Sequence, residues 1–182
     1  MRKLCVRVSA IGAMVLAFSS TAFAQQSVTL TDTSQTTTLT ANVSEQARVT
    51  VPAGVTFNVT NVASNTAATA ASVAVQSIVL ATATKQLHVS LQANAASFTP
   101  PVGGATTWDA GDVSWNAPAW TNASGAAGTL SNASYTSVAT CTAGAADCST
   151  TGLVFTLGAK ATVQQAGNHT LVVTWKFESI GS

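Results

Sequence analysis

Charge is what this sequence has least of. Seven Lys and Arg together with six Asp and Glu make up 7% of the 182 residues, where an ordinary globular chain carries about 25%. A surface this poor in cations has no basic stripe with which to neutralise phosphates, and nucleic acid is excluded as a partner. Solubility must come from Thr, Ser, Asn and Gln instead. With so little electrostatic repulsion, such a surface suits a protein that packs against copies of itself or against other surface proteins.

Chemically versatile side chains are equally scarce. His88 and His169 are the two histidines, and no serine stands in a Gly-x-Ser-x-Gly elbow, so a Ser, His, Asp triad has no recognisable seat. Asp109 and Asp112 are near neighbours, but two acids in a loop bind water or a loose calcium ion more readily than they do acid-base chemistry. No Gly-rich phosphate loop leads into a helix. The expectation is a protein that is not an enzyme, with no cofactor and no metal centre.

Long apolar runs are missing too, apart from one at the start. Arg2, Lys3 and Arg7 precede an apolar run over residues 8–18, which is followed by Ser19, Ser20 and the small-residue site Ala22, Phe23, Ala24. That order reads as a secretory signal peptide over residues 1–24, cleaved between Ala24 and Gln25. A membrane anchor is the rival, but the run is shorter than the roughly 18 to 20 apolar residues that span a bilayer. Cleavage leaves four basic residues against six acidic ones, a net charge of about −2 with neutral histidines. The mature chain is expected to be exported to the periplasm, the cell surface or the medium, with no membrane span.

Cysteine is nearly absent. Cys5 leaves with the signal peptide, and Cys141 and Cys148 remain with six residues between them. In an oxidising compartment they should form a disulfide contributing about 2 to 3 kcal/mol on the chain-entropy model. A zinc site is the alternative, but it wants four ligands and only Asp147 is at hand.

What the sequence does contain is alternation. Leu171, Val173, Trp175 and Phe177 share one parity near the C-terminus, while Thr170, Thr174, Lys176 and Glu178 hold the other, interrupted by Val172. This is a long half-buried strand. Leu87, Val89 and Leu91 alternate in the same way with Gln86, His88, Ser90 and Gln92, and Leu153, Phe155, Leu157 and Ala159 mark another strand. Residues 48–51 and 55–59 predict a hairpin about Pro52, Ala53 and Gly54, with Val49, Val51, Val55, Phe57 and Val59 facing inward. Residues 73–80 are apolar on both parities, so either both faces are covered or a bulge switches the register.

Glycine and proline break up the long region 94–151, within which short strands are expected at residues 112–116 and 135–140. No helical periodicity of useful length occurs. The count of seven or eight strands predicts an all-β fold, an immunoglobulin-like antiparallel β-sandwich over residues 46–182, with Trp175 or Trp115 as its buried tryptophan. Residues 25–45 form a polar, Thr-rich extension ahead of it. That extension carries Val28 and Leu30 on one parity, then Leu39, Ala41 and Val43 on one parity.

Two readings of Trp108 and Trp120 compete. Indoles displayed on Gly- and Pro-interrupted loops can stack on sugar rings or on a partner surface; alternatively they roof the open edge of the sandwich. The triplets Asn-x-Ser/Thr at Asn42, Asn58, Asn122, Asn132 and Asn168 arise by chance in a chain this dense in Asn, Ser and Thr.

Ala166 and Gly167 lead into a long alternating strand that ends the chain, on a small exported sandwich with a polar N-terminal extension. In this the chain resembles bacterial pilin and spore-coat-U-type surface proteins. The resemblance implies that subunits polymerise when one chain's extension completes the next chain's incomplete sandwich, with Val28 and Leu30 as the donor residues. It covers the two ends of the chain. The penultimate aromatic of those families is missing here, and the disulfide comes late rather than early. The leading expectation is a filament, coat or adhesion subunit assembling by β-strand addition; the other is a monomeric module that binds a glycan or cell-wall polymer through Trp108 and Trp120.

Overall fold

The computed structural model describes residues 29–31 and 36–181. The chain divides into two compact units, Met1–Ala41 and Asn42–Ser182. The signal peptide expected over residues 1–24 lies outside the described residues, as does Val28. In the first unit the described residues form no strand, and Leu30 and Leu39 are more than nine-tenths exposed.

The second unit is an antiparallel β-sandwich. Its eleven strands are β1 Gln46–Thr50, β2 Thr66–Ala67, β3 Ala71–Val79, β4 Gln86–Ala93, β5 Val113–Trp115, β6 Ala123–Gly125, β7 Gly128–Thr129, β8 Thr136–Cys141, β9 Cys148–Leu153, β10 Phe155–Leu157 and β11 Val173–Ile180. A single 3-10 turn, Ala110–Asp112, precedes β5. The number exceeds seven or eight because long strands are broken into pieces. β9 and β10 are separated by Val154 alone, and their partners β3 and β2 follow the same line. The sheets β1-β3-β9 and β2-β10-β5-β7 therefore make one bent layer, and β11-β4-β8-β6 makes the other.

Alternation explains what is buried between the layers. Leu87, Val89 and Leu91 of β4 meet Val73 and Val75 of β3 and Leu153, Phe155 and Leu157 of β9 and β10 in one core. Along β3 the inward parity changes. Ser77 adopts a positive φ of 52°, and the β1–β3 register slips between Gln46 and Arg48; Ile78 then packs on the core while Val79 turns outward. Of the two explanations for a strand apolar on both parities, the bulge is the one observed.

One edge of the sandwich is closed. Thr121 and Ser149 exchange backbone hydrogen bonds at 2.8 and 3.2 Å, and β6 then pairs with β8, so residues 121–125 cross from one layer to the other. The Cys141–Cys148 disulfide joins the end of β8 to the start of β9 on the same side of the core.

Two expectations fail here. Residues 55–59 do not return along β1 as a hairpin: β1 pairs with β3, and residues 51–59 belong to no strand. Pro52 lacks the N–H a paired strand would need, and β1 ends two residues before it, at Thr50. Ser90, placed outside by its parity, is fully buried at the point where the β4–β8 register shifts.

Candidate functional site

The opposite edge, between β1 and β11, is open. At its base the two strands are tied together by Glu45, whose Oε1 accepts hydrogen bonds from the Ala81 amide at 2.7 Å, Lys85 Nζ at 3.1 Å and Ser179 Oγ at 3.2 Å. Beyond Val51 the walls part around a groove of about 1250 Å³. One wall is residues 51–60, the other residues 163–173, and the floor includes Trp108, Val113, Leu130, Phe155 and Leu157.

The first wall is extended but unpartnered. Among the described residues, the backbone of residues 53–58 makes no hydrogen bond to any strand; the Phe57 carbonyl accepts from Val59 N in the same segment at 3.1 Å. Of its alternating apolar residues, Phe57 and Val59 turn toward the core without being covered. Phe57 and Val59 are half-buried against the core, and Val55 is 36% exposed. Of the inward face expected over residues 49–59, Val51, Phe57 and Val59 pack against the core while Val49 and Val55 are exposed, and the partner expected for it is wrong.

The second wall is held from one side. Gly167, at a φ of 133°, turns the chain where a Cβ would come within 2.8 Å of Pro101, so a side chain there is excluded by both strain and space. Thr170 then exchanges hydrogen bonds with Thr99 at 2.7 and 3.0 Å, and the Val172 carbonyl accepts from Asn94 N at 2.9 Å. β11 continues this line, paired along its length with β4. Among the described residues no strand lies on its other side. Accordingly none of Leu171, Val173, Trp175 and Phe177 is fully buried, although their pattern is that of a core strand.

At the far end a polar strap fixes the groove. Lys160 Nζ donates to Asp109 Oδ2 at 2.7 Å and to Asp112 Oδ2 at 3.0 Å, and Ser97 Oγ donates to Asp109 Oδ1 at 2.6 Å. The hydrogen bond from Lys160, then that from Ser97, holds the Asp109 carboxyl below its ordinary range, while the bond to Asp109 raises Lys160. The two acids also cap the 3-10 turn. They are occupied structurally, and among the described residues no cluster of three or more His, Cys, Asp or Glu could hold a metal ion.

The tryptophans are not displayed indoles. Trp108 is 5% exposed, donates Nε1 to the Gly158 carbonyl at 2.9 Å, and meets His169 edge-on with centroids 5.2 Å apart. Trp120 is half-buried against the core, with its Nε1 buried and unpartnered among the described residues. The residues around them are Gly- and Pro-rich; Trp108 is held by Gly158, remote in sequence, whereas Trp120 lies against nearby Gly125 and bridges to Ala123. Trp115 is in the core as its parity requires.

His169 also belongs to the groove wall. Because the Gln165 carbonyl can only accept, Nε2 carries the proton at 3.0 Å, and in the neutral ring Nδ1 accepts from Thr107 Oγ1 at 2.7 Å. His88 bonds Ser137 and Glu178 instead, on the outer face of the other layer. The two histidines serve different elements and do not form a joint site. Among the described residues no helix is long and apolar enough to cross a membrane.

Comparison with protein-family models, with curated proteins and with solved structures returns no match.

Proposed function

We propose that the protein is an exported, non-enzymatic structural subunit that joins other copies by β-strand addition into the groove between residues 51–60 and 163–173. The observation that carries this reading is one apolar groove flanked by unpaired main chain. A strand laid there gains ladder hydrogen bonds from residues 53–58 and from the free side of β11, and it covers side chains the subunit leaves half-exposed. Seen as an immunoglobulin-like sandwich, the layer β11-β4-β8-β6 has, among the described residues, no strand beside β11.

A strand supplied by the same chain fits poorly. Glu45 is fixed at the base, and the groove opens about 20 Å up β1 at 3.3 Å per residue. A chain folding back from Glu45 climbs at the same rate, so residues from about 40 down to 30 would lie opposite 51–60. That stretch is Thr-, Ser- and Gln-rich and includes Asp32, so it suits water better than an apolar floor.

The test is assembly of the mature protein, followed by size-exclusion chromatography and electron microscopy. Filaments or higher oligomers are expected; a strictly monomeric particle at high concentration, including in the native envelope fraction, would defeat the reading. The glycan-binding alternative loses its platform, because Trp108 is buried and Trp120 is packed on the core.

A further inference from the structure

Granting strand addition, we infer that the strand entering the groove is residues 37–43 of a second copy, with Leu39, Ala41 and Val43 inward, and that Val28 and Leu30 are not the insert. The extension offers two apolar phases. In the first, Val28 and Leu30 are followed on the same parity by Asp32; in the second, Leu39, Ala41 and Val43 follow Thr37 on one parity, with no charge anywhere in residues 33–44. The groove wall is about ten residues long and its floor is aromatic and aliphatic. A carboxylate carried into it would be buried without a cation. Lys160, the nearby lysine, is already bonded to Asp109 and Asp112.

Availability and reach point the same way. Leu39 is 91% and Val43 70% exposed in the folded subunit, so neither is committed to its own core. By the reach from Glu45, a chain's own Ala41 and Val43 stop short of its own groove and Leu39 comes only to its mouth, so the full triplet is presented there by another copy. Insertion of this segment leaves Ser44 and Glu45 as the whole connection to β1, spanning at most about 10 Å. Glu45, held by Ala81, Lys85 and Ser179, then fixes the direction in which the next subunit leaves. Insertion of Val28 and Leu30 would instead leave a fifteen-residue polar tether, residues 31–45, and a flexible string of subunits.

The experiment compares the mature chain with Leu39→Asp, Leu30→Asp and a deletion of residues 25–35. Assembly is read by sedimentation and electron microscopy, and folding by a melting curve. Leu39→Asp is expected to leave folded monomers, because Leu39 is exposed in the subunit, while the other two still form filaments. A peptide of residues 36–44 should bind the Leu39→Asp monomer at least about tenfold more tightly than a peptide of residues 27–35, followed through fluorescence of the groove tryptophans. If Leu30→Asp or the deletion blocks assembly, or Leu39→Asp assembles normally, or the two peptides bind alike, the assignment of the segment is overturned while strand addition can stand. If the unaltered mature chain never assembles, strand addition falls and this inference with it.

Discussion

At the scale of single residues, the few charges here act as ties between segments. Glu45 is held below its ordinary range first by the Ala81 amide and then by Lys85; Asp109 by Lys160 and Ser97; Glu178 by Lys176 and then His88. A carboxyl whose folded pKa is depressed contributes stability that is present above its unfolded value and lost as pH falls through the folded one. The melting temperature should therefore be flat from neutral pH down to about 5 and fall below about 4, each exposed group adding little by itself. Asp109→Asn should reduce the acid-dependent part of that fall, read from melts at a series of pH values; an unchanged acid limb would mean the strap is not a source of stability. Packing sets a sharper limit elsewhere. Gly128 lies opposite Trp115 in the β5–β7 pair, and a Cβ there would run into the indole. Since Trp115 is 3% exposed and bonded through Nε1 to Ala126 at 3.0 Å, it cannot swing away, and Gly128→Ala should cost about 1 to 3 kcal/mol in urea unfolding.

At the scale of elements, alternation made β4, β8, β10 and β11 readable before any coordinates, because period two reports which way side chains face. It does not report what pairs with the backbone. Val55, Phe57 and Val59 alternate as a strand would, so a hairpin with β1 looked natural; nothing local in the sequence says that this backbone stays unpaired. The bulge in β3 was visible as a conflict of parities, but its position at Ser77 was not, since a serine carries no turn signal as a glycine would. For a related reason the choice between a displayed and a roofing Trp108 is not legible locally: its hydrogen-bond acceptor, Gly158, comes from another part of the chain. The disulfide, by contrast, depended on spacing and compartment alone. It sits two strands in from the open edge in each layer, with both cysteines buried. Replacing Cys141 and Cys148 by Ala should lower unfolding stability by about 2 to 3 kcal/mol and leave assembly intact; lost assembly in a variant that still melts cooperatively would show that the staple also shapes the groove.

At the scale of the whole molecule, the second unit is a sandwich closed on one edge and, among the described residues, open on the other. Its most regular strand, β11, has residues of a core pattern that remain half-exposed, and the facing wall leaves Val55 and Phe57 in the same condition. Filling the groove would complete the burial of both walls, and burying Leu39 and Val43 of the insert would contribute about 1.5 to 3 kcal/mol each before ordering costs of about 1 to 2 kcal/mol per residue. The walls are already ordered, so the entropy to be lost is mainly that of the insert. Anything that binds the folded form alone raises its apparent stability. Assembled subunits should therefore unfold at a clearly higher denaturant concentration than Leu39→Asp monomers. A dye that fluoresces on apolar surfaces should bind those monomers and be excluded from the assembled form, since the groove is the large apolar concavity described in this chain. Equal unfolding midpoints together with equal dye binding would mean that the groove stays empty after assembly, and that the copies are held together by some other face.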